Sequence, residues 1–122
     1  MNDPIRMGWG TALLLAATLL LLSLGQILFK LASRGVSFGD PRSLLSPSLL
    51  SGLFVYGLAT IMWILVLKRL PLSLAFPFYG LTFLLVPLLA HFLIGERIGY
   101  QTFLGGGIIM FGVFVTSWGK IA

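Results

Sequence analysis

The stretch Pro71–Arg97, PLSLAFPFYGLTFLLVPLLAHFLIGER, is an apolar run that holds three prolines and closes on an acid–base pair, Glu96 and Arg97. Pro71 suits a helix start, because a first-turn proline gives up only an N–H that has no intrahelical partner. Pro77 and Pro87 fall inside the run. Each removes a backbone hydrogen bond and presses on the preceding turn, so each is expected to kink or locally break the helix. In a helical membrane bundle such breaks persist where neighbouring helices or a water-lined cavity satisfy the freed carbonyls. Ser73, Pro77, Gly80, Leu84, Pro87 and His91 recur at spacings of four and three. That places the kinks, the glycine and the histidine on one side of one helix, a side expected to face protein or cavity instead of lipid.

Composition extends this reading to the whole chain. Of the 122 residues 58% are hydrophobic and 9% charged, and mean hydropathy is +1.07. Soluble domains carry roughly 25% charged residues. The expected fold is an all-α membrane protein: a four-transmembrane-helix bundle, in one domain over residues 1–122, with the third helix proline-kinked. The spans are expected at about 9–30, 49–67, 71–94 and 100–118. The net charge of +5 arises from basic residues that flank the apolar runs without clustering. They read as membrane-end anchors, not a nucleic-acid surface. Cysteine is absent, which excludes a disulfide frame and a thiolate metal site.

Trp9 to Phe29 is nearly all apolar, about the 20 residues needed to cross roughly 30 Å of hydrocarbon. It is too long for the ~7–15-residue apolar core of a cleaved signal peptide. Ser23, Gln26 and Lys30 share a face at its end. Lys30 has two readings: a lysine that snorkels to the interface and suits the helix C-terminal dipole, or a cation that meets an anionic headgroup in a cavity. Gln26, one turn deeper, supports the second, since a buried amide needs partners. In the second span Tyr56, Thr60 and Trp63 share a face, with Tyr56 mid-span and expected to point into the bundle. Ser46-Pro47 reads as N-cap plus first helical residue, and Leu44 and Leu45 of the long loop suit the interface. Lys68–Pro71 and Gly95–Gly99 are tight turns, so spans two and three are antiparallel neighbours. In the fourth span Gly105, Gly112 and Gly119 stand seven apart. A glycine stripe lets another helix approach closely, either within the subunit or between two subunits. With four spans, each membrane side holds four basic residues, so the positive-inside rule assigns almost no direction, and only the discounting of an intramembrane Lys30 tilts it weakly to cytoplasmic termini.

The carboxylates Asp3, Asp40 and Glu96 all lie outside the spans. No acidic pair is placed for general acid–base work, and one histidine without cysteine makes no conventional zinc site. The chain reads as a non-enzyme with no cofactor and no metal. His91 reads as an interfacial histidine.

Three segments carry a resemblance: Leu24-Gly25-Gln26-Ile27-Leu28-Phe29-Lys30, Leu70-Pro71-Leu72-Ser73-Leu74-Ala75-Phe76-Pro77 and Gly95-Glu96-Arg97-Ile98. Together they resemble the drug/metabolite transporter superfamily, in its four-helix EamA and small-multidrug-resistance branch. Among these the chain is similar to the small subunits that flip undecaprenyl-phosphate-linked aminoarabinose. The resemblance implies a flippase or carrier for a polyprenyl-phosphate lipid in the cell inner membrane, working as a homodimer or as a heterodimer with a related four-helix chain. On that reading Lys30, Gln26, Tyr56, Trp63, Tyr79 and Ser73 contact the substrate, and Glu96, Arg97 and His91 form the rim. The small multidrug exporters depend on a glutamate within the first span, and Trp9–Phe29 has no acid. Two alternatives stay open: an exporter of small organic cations or metabolites, and a non-transporting subunit that assists a glycosyltransferase.

Overall fold

In the computed structural model residues 8–121 are described, with side chains described through Trp118. The sequence expectations for Asp3, Arg6, Gly119 and Lys120 fall outside the described positions or side chains. The described residues form α1 (Trp9–Ser33), α2 (Pro47–Arg69), α3 (Leu72–Tyr79), α4 (Thr82–Ile94) and α5 (Tyr100–Ile121), with a 3₁₀ turn at Pro41–Leu45. Four helical stretches are long and apolar enough to cross a membrane: α1, α2, the α3–α4 pair and α5. The four-span, all-α bundle read from the sequence is therefore the observed architecture.

Local chemistry sets the helix limits. α1 continues one turn past Lys30 to Ser33, whose hydroxyl donates to the Lys30 carbonyl at 2.6 Å. Ser46 caps α2, its side chain accepting from the Leu49 N–H at 3.2 Å, and Pro47 follows in the first turn. This is the arrangement in which a proline's missing N–H removes nothing. Lys68 and Arg69 occupy the last turn of α2, where cations suit the negative helix end. Pro71 stands just before α3, and its carbonyl accepts from Leu74 and Ala75.

The third span bends by 29°, and the bend lies at Gly80–Leu81, between Pro77 and Pro87. The sequence expectation of a kinked helix holds, but its pivot is the glycine. Across the pivot the backbone tightens to three-residue hydrogen bonds: Gly80 to Pro77, Leu81 to Phe78, Phe83 to Gly80 and Leu84 to Leu81, at 2.9–3.1 Å. Because Phe83 bonds Gly80, the Tyr79 carbonyl loses its usual partner. The Thr82 hydroxyl replaces it, donating to Tyr79 at 2.7 Å.

Gly80 also explains why α5 packs here. A Cβ on Gly80 would lie 2.9 Å from the Pro77 carbonyl and 3.2 Å from Ile109 Cγ2 of α5. Lower on α5, a Cβ on Gly106 would lie 2.9 Å from Leu84 Cδ1. These two positions make the close approach within the subunit. Gly105 and Gly112, the described members of the heptad stripe, have nothing within 4 Å of an added Cβ.

The core is gathered toward one end of the bundle. Leu15, Leu19 and Leu22 of α1 meet Ala59 and Val66 of α2, Leu70 of the turn, and Leu74 and Ala75 of α3. Buried hydroxyls do not disrupt it. Thr18 donates to the Leu14 carbonyl at 2.6 Å and Ser23 to the Leu19 carbonyl at 2.8 Å, so each bonds back to its own helix. At the other end α4 stops at Gly95, whose φ of 74° is left-handed, a conformation glycine adopts without a Cβ penalty.

Candidate functional site

Beyond the core, Tyr79 lines three clefts, one of them against α5 and two against α1. The two against α1 gather residues singled out in the sequence. One, of about 400 Å³, lies between α1, α3 and α4 and is lined by Gln26, Tyr79, Thr82, Phe83, Val86 and Pro87, with Leu22. The other, of about 380 Å³, lies between α1, α2 and α3 and is lined by Tyr56, Thr60, Trp63, Phe76 and Tyr79, again with Leu22. Leu22 also belongs to the core, so packed side chains border both spaces.

Tyr79 owes its place to the bend. It is the last residue of α3, directly before Gly80. Its ring lies edge-on to Trp63 at 5.5 Å between centroids and stacks on Phe76 at 5.8 Å. Both separations fall in the favourable range for aromatic pairs. Tyr56 lies against Phe29 at 5.5 Å, and the bare backbone of Gly25 lets it approach α1: a Cβ there would lie 3.2 Å from the Tyr56 ring.

The polar atoms of the clefts are neutral. Thr60 donates to the Tyr56 carbonyl at 2.8 Å and Thr82 to Tyr79, which leaves their oxygens as acceptors. The Gln26 amide, the two tyrosine hydroxyls and the Trp63 indole N–H are the donor-bearing groups. No carboxylate lines either cleft. A set of neutral donors on apolar walls can bind an anionic or hydroxyl-rich headgroup. It carries no acid to exchange protons.

The structure brings together four of the residues singled out in the sequence: Gln26, Tyr56, Trp63 and Tyr79. It keeps the others apart from them. Lys30 is exposed and lines neither cleft. It follows Gln26 by one turn, about 6 Å along the axis of α1. Ser73 is exposed in the first turn of α3, at the opposite end of the bundle from Lys30. Of the side read as facing protein, Pro77, Gly80, Leu84 and Pro87 are half-buried, while Ser73 and His91 are exposed.

His91 stands in the last turn of α4, and Glu96 and Arg97 follow in the α4–α5 turn, on the same membrane side as Lys30. His91 Nδ1 lies 2.8 Å from the Glu96 carbonyl. The carbonyl can only accept, so Nδ1 donates. The Gly95 and Glu96 N–H groups bond the carbonyls of His91 and Ala90 at 3.2 and 3.1 Å. His91 thus braces a helix end. Among the described residues no three potential ligands gather as a metal site.

Sequence reading missed Thr82, Phe76 and Phe83 as lining residues. Thr82 had a usable signal, a hydroxyl two residues after the glycine of a proline-rich helix. The two phenylalanines had none, since an apolar residue in an apolar span looks alike on either face.

Residues 4–118 match the model of the EamA-like transporter family. The chain belongs to that family. It is 34% identical to a protein of Pectobacterium atrosepticum named as a probable 4-amino-4-deoxy-L-arabinose-phosphoundecaprenol flippase subunit, over 84% of this chain and 94% of the relative. A protein of the same name from Pseudomonas fluorescens is 37% identical, over 82% of this chain and 90% of its own length. Another, from Pseudomonas savastanoi, is 36% identical over 85% and 94%. No solved structure matches. Family membership and four apolar helices make this EamA-family chain a multi-pass membrane transporter.

Proposed function

We propose that the chain is one subunit of a dimeric flippase for a polyprenyl-phosphate-linked amino-sugar lipid in the inner membrane, acting as a carrier and not as an enzyme. The observation that carries this reading is the acid-free pair of clefts, lined by neutral donors and aromatic rings, with one lysine a turn beyond them on the same helix face. The names of the relatives agree with it.

Lys30 meets the phosphate. A cation and an anion at a membrane boundary attract more strongly than in water, because the local dielectric is lower. Gln26 donates to the headgroup one turn deeper. Tyr56, Trp63 and Tyr79 present ring faces and polar tips to the sugar as it passes, and the polyprenyl tail stays in lipid. Ser73 lies toward the far end of the path, and Glu96, Arg97 and His91 form the rim on the Lys30 side. The partner is a second copy or a related four-helix chain. The stripe at Gly105, Gly112 and Gly119 is its seam, a reading supported by the open space beside Gly105 and Gly112. Residues 1–122 act as a single membrane domain.

The test is flipping of a fluorescent polyprenyl-phosphate amino sugar in liposomes holding the chain with its partner. Lys30→Ala is expected to lower the rate about tenfold, the loss of one charge-assisted contact of roughly 1.5 kcal/mol, and Lys30→Glu to lower it further. Unchanged rates in both variants would end the role of Lys30. The ring cluster around Tyr79 favours a second reading, export of small organic cations, since aromatic faces attract cations. Transport of such cations, with no flipping of the lipid, would select it.

A further inference from the structure

We infer that the α1–α2 loop is an interfacial foot that seats its apolar side chains in the membrane surface and its arginines on anionic phospholipid headgroups. The loop is tightly built. Ser43 Oγ accepts from the Ser37 N–H at 2.8 Å and lies 2.8 and 2.7 Å from the Ser37 and Asp40 carbonyls. The Asp40 carboxylate accepts from the Arg42 N–H at 3.0 Å and caps the 3₁₀ turn. Yet this ordered segment turns three large apolar side chains outward. Phe38 is 92% exposed, Leu45 67% and Leu44 40%. A hydrogen-bonded loop that only linked two helices in water would have no use for them.

Position names the occupant. The loop joins the ends of two membrane-crossing helices, so it lies at the boundary between headgroups and water. Phe38, Leu44 and Leu45 match the apolar side of that boundary. Arg34 and Arg42 are exposed beside them, and Asp40, the one acid of the loop, is engaged at the turn. Arginine forks pair with phosphate oxygens in two-pronged fashion. An anionic phospholipid therefore fits better than a zwitterionic one, whose own cation competes.

The chain has no cysteine, so single labels can be placed freely. Phe38→Cys, Leu45→Cys and, for comparison, Ser37→Cys would be spin-labelled in the full chain. The chain would be reconstituted in phosphatidylcholine vesicles with or without phosphatidylglycerol. Labels at 38 and 45 are expected to meet lipid-soluble oxygen more often than a water-soluble nickel chelate, with the order reversed at 37. Native mass spectrometry should show retained phosphatidylglycerol, falling roughly fivefold for each of Arg34→Gln and Arg42→Gln. Equal chelate access at all three positions would overturn the inference. So would shielding of 38 and 45 from both reagents, which would mean a protein contact, or lipid retention indifferent to both arginines.

Discussion

Replacing Gly80 by alanine tests whether the bend in the third span is held by contact with α5. The added methyl would stand 2.9 Å from the Pro77 carbonyl, 3.2 Å from Ile109 Cγ2 and 3.5 Å from Val113 Cγ2. The first contact is closer than real Cβ atoms approach, and the atom it meets is backbone, which cannot swing aside. Overpacking of this kind costs about 1–3 kcal/mol. Alanine returns up to about 1 kcal/mol in helix preference, so with that return the net loss runs from about 0 to 2 kcal/mol. The variant should fall about 1–3 kcal/mol below a glycine-to-alanine change in open space. Gly57→Ala is the control. Gly57 is exposed within α2, with nothing within 4 Å of an added Cβ, so the same preference acts there unopposed and stability should hold or rise. Thermal unfolding in detergent, read by helical circular dichroism, compares the two. Gly80→Ala with Ile109→Ala distinguishes the contacts: partial recovery assigns the strain to α5, and no recovery assigns it to the Pro77 carbonyl. If Gly80→Ala were as stable as Gly57→Ala and moved lipid at the same rate, the pivot described here would be wrong.

Thr82→Val keeps the shape of the side chain but leaves the Tyr79 carbonyl without its hydroxyl partner. It should lower stability by about 1–3 kcal/mol, checked by the same melt. Gln26→Leu should preserve folding, because Gln26 is exposed in the subunit, while cutting lipid flipping several-fold in the liposome assay. Gly112→Leu should leave the subunit's melt unchanged, since space is open there. It should shift the dimer toward monomer in size-exclusion chromatography if the stripe lies between subunits.

Much of the fold was legible because a bilayer allows few solutions. A chain with four long apolar runs must satisfy its backbone by helices, so the spans follow from hydropathy. The neighbours do not follow from turn length: α1 packs most extensively on α2, to which the long loop joins it, and next on α4, while α2 and α3, joined by the tight turn, pack together far less. Ser46-Pro47 marked a helix start for the same local reason. The site was partly legible: Tyr56, Trp63 and Tyr79 are amphipathic residues in spans where such groups need partners, whereas Gln26, expected to be a buried amide, lines its cleft while exposed in the subunit. Phe76 and Phe83 carried no such mark.

What the sequence by itself determined was membership of the membrane class, the four crossings and the absence of an acid within them, because each follows from residue identity and length. Only the tertiary structure decided that the third span pivots at Gly80 instead of at a proline. It alone decided that Gly106 and not Gly105 admits a neighbouring helix, and that Lys30 stands clear of the clefts. Those outcomes depend on which atoms of distant segments meet. Residues one place apart in a helix point about 100° apart, so the neighbour that packs, not the residue type, selects which glycine matters.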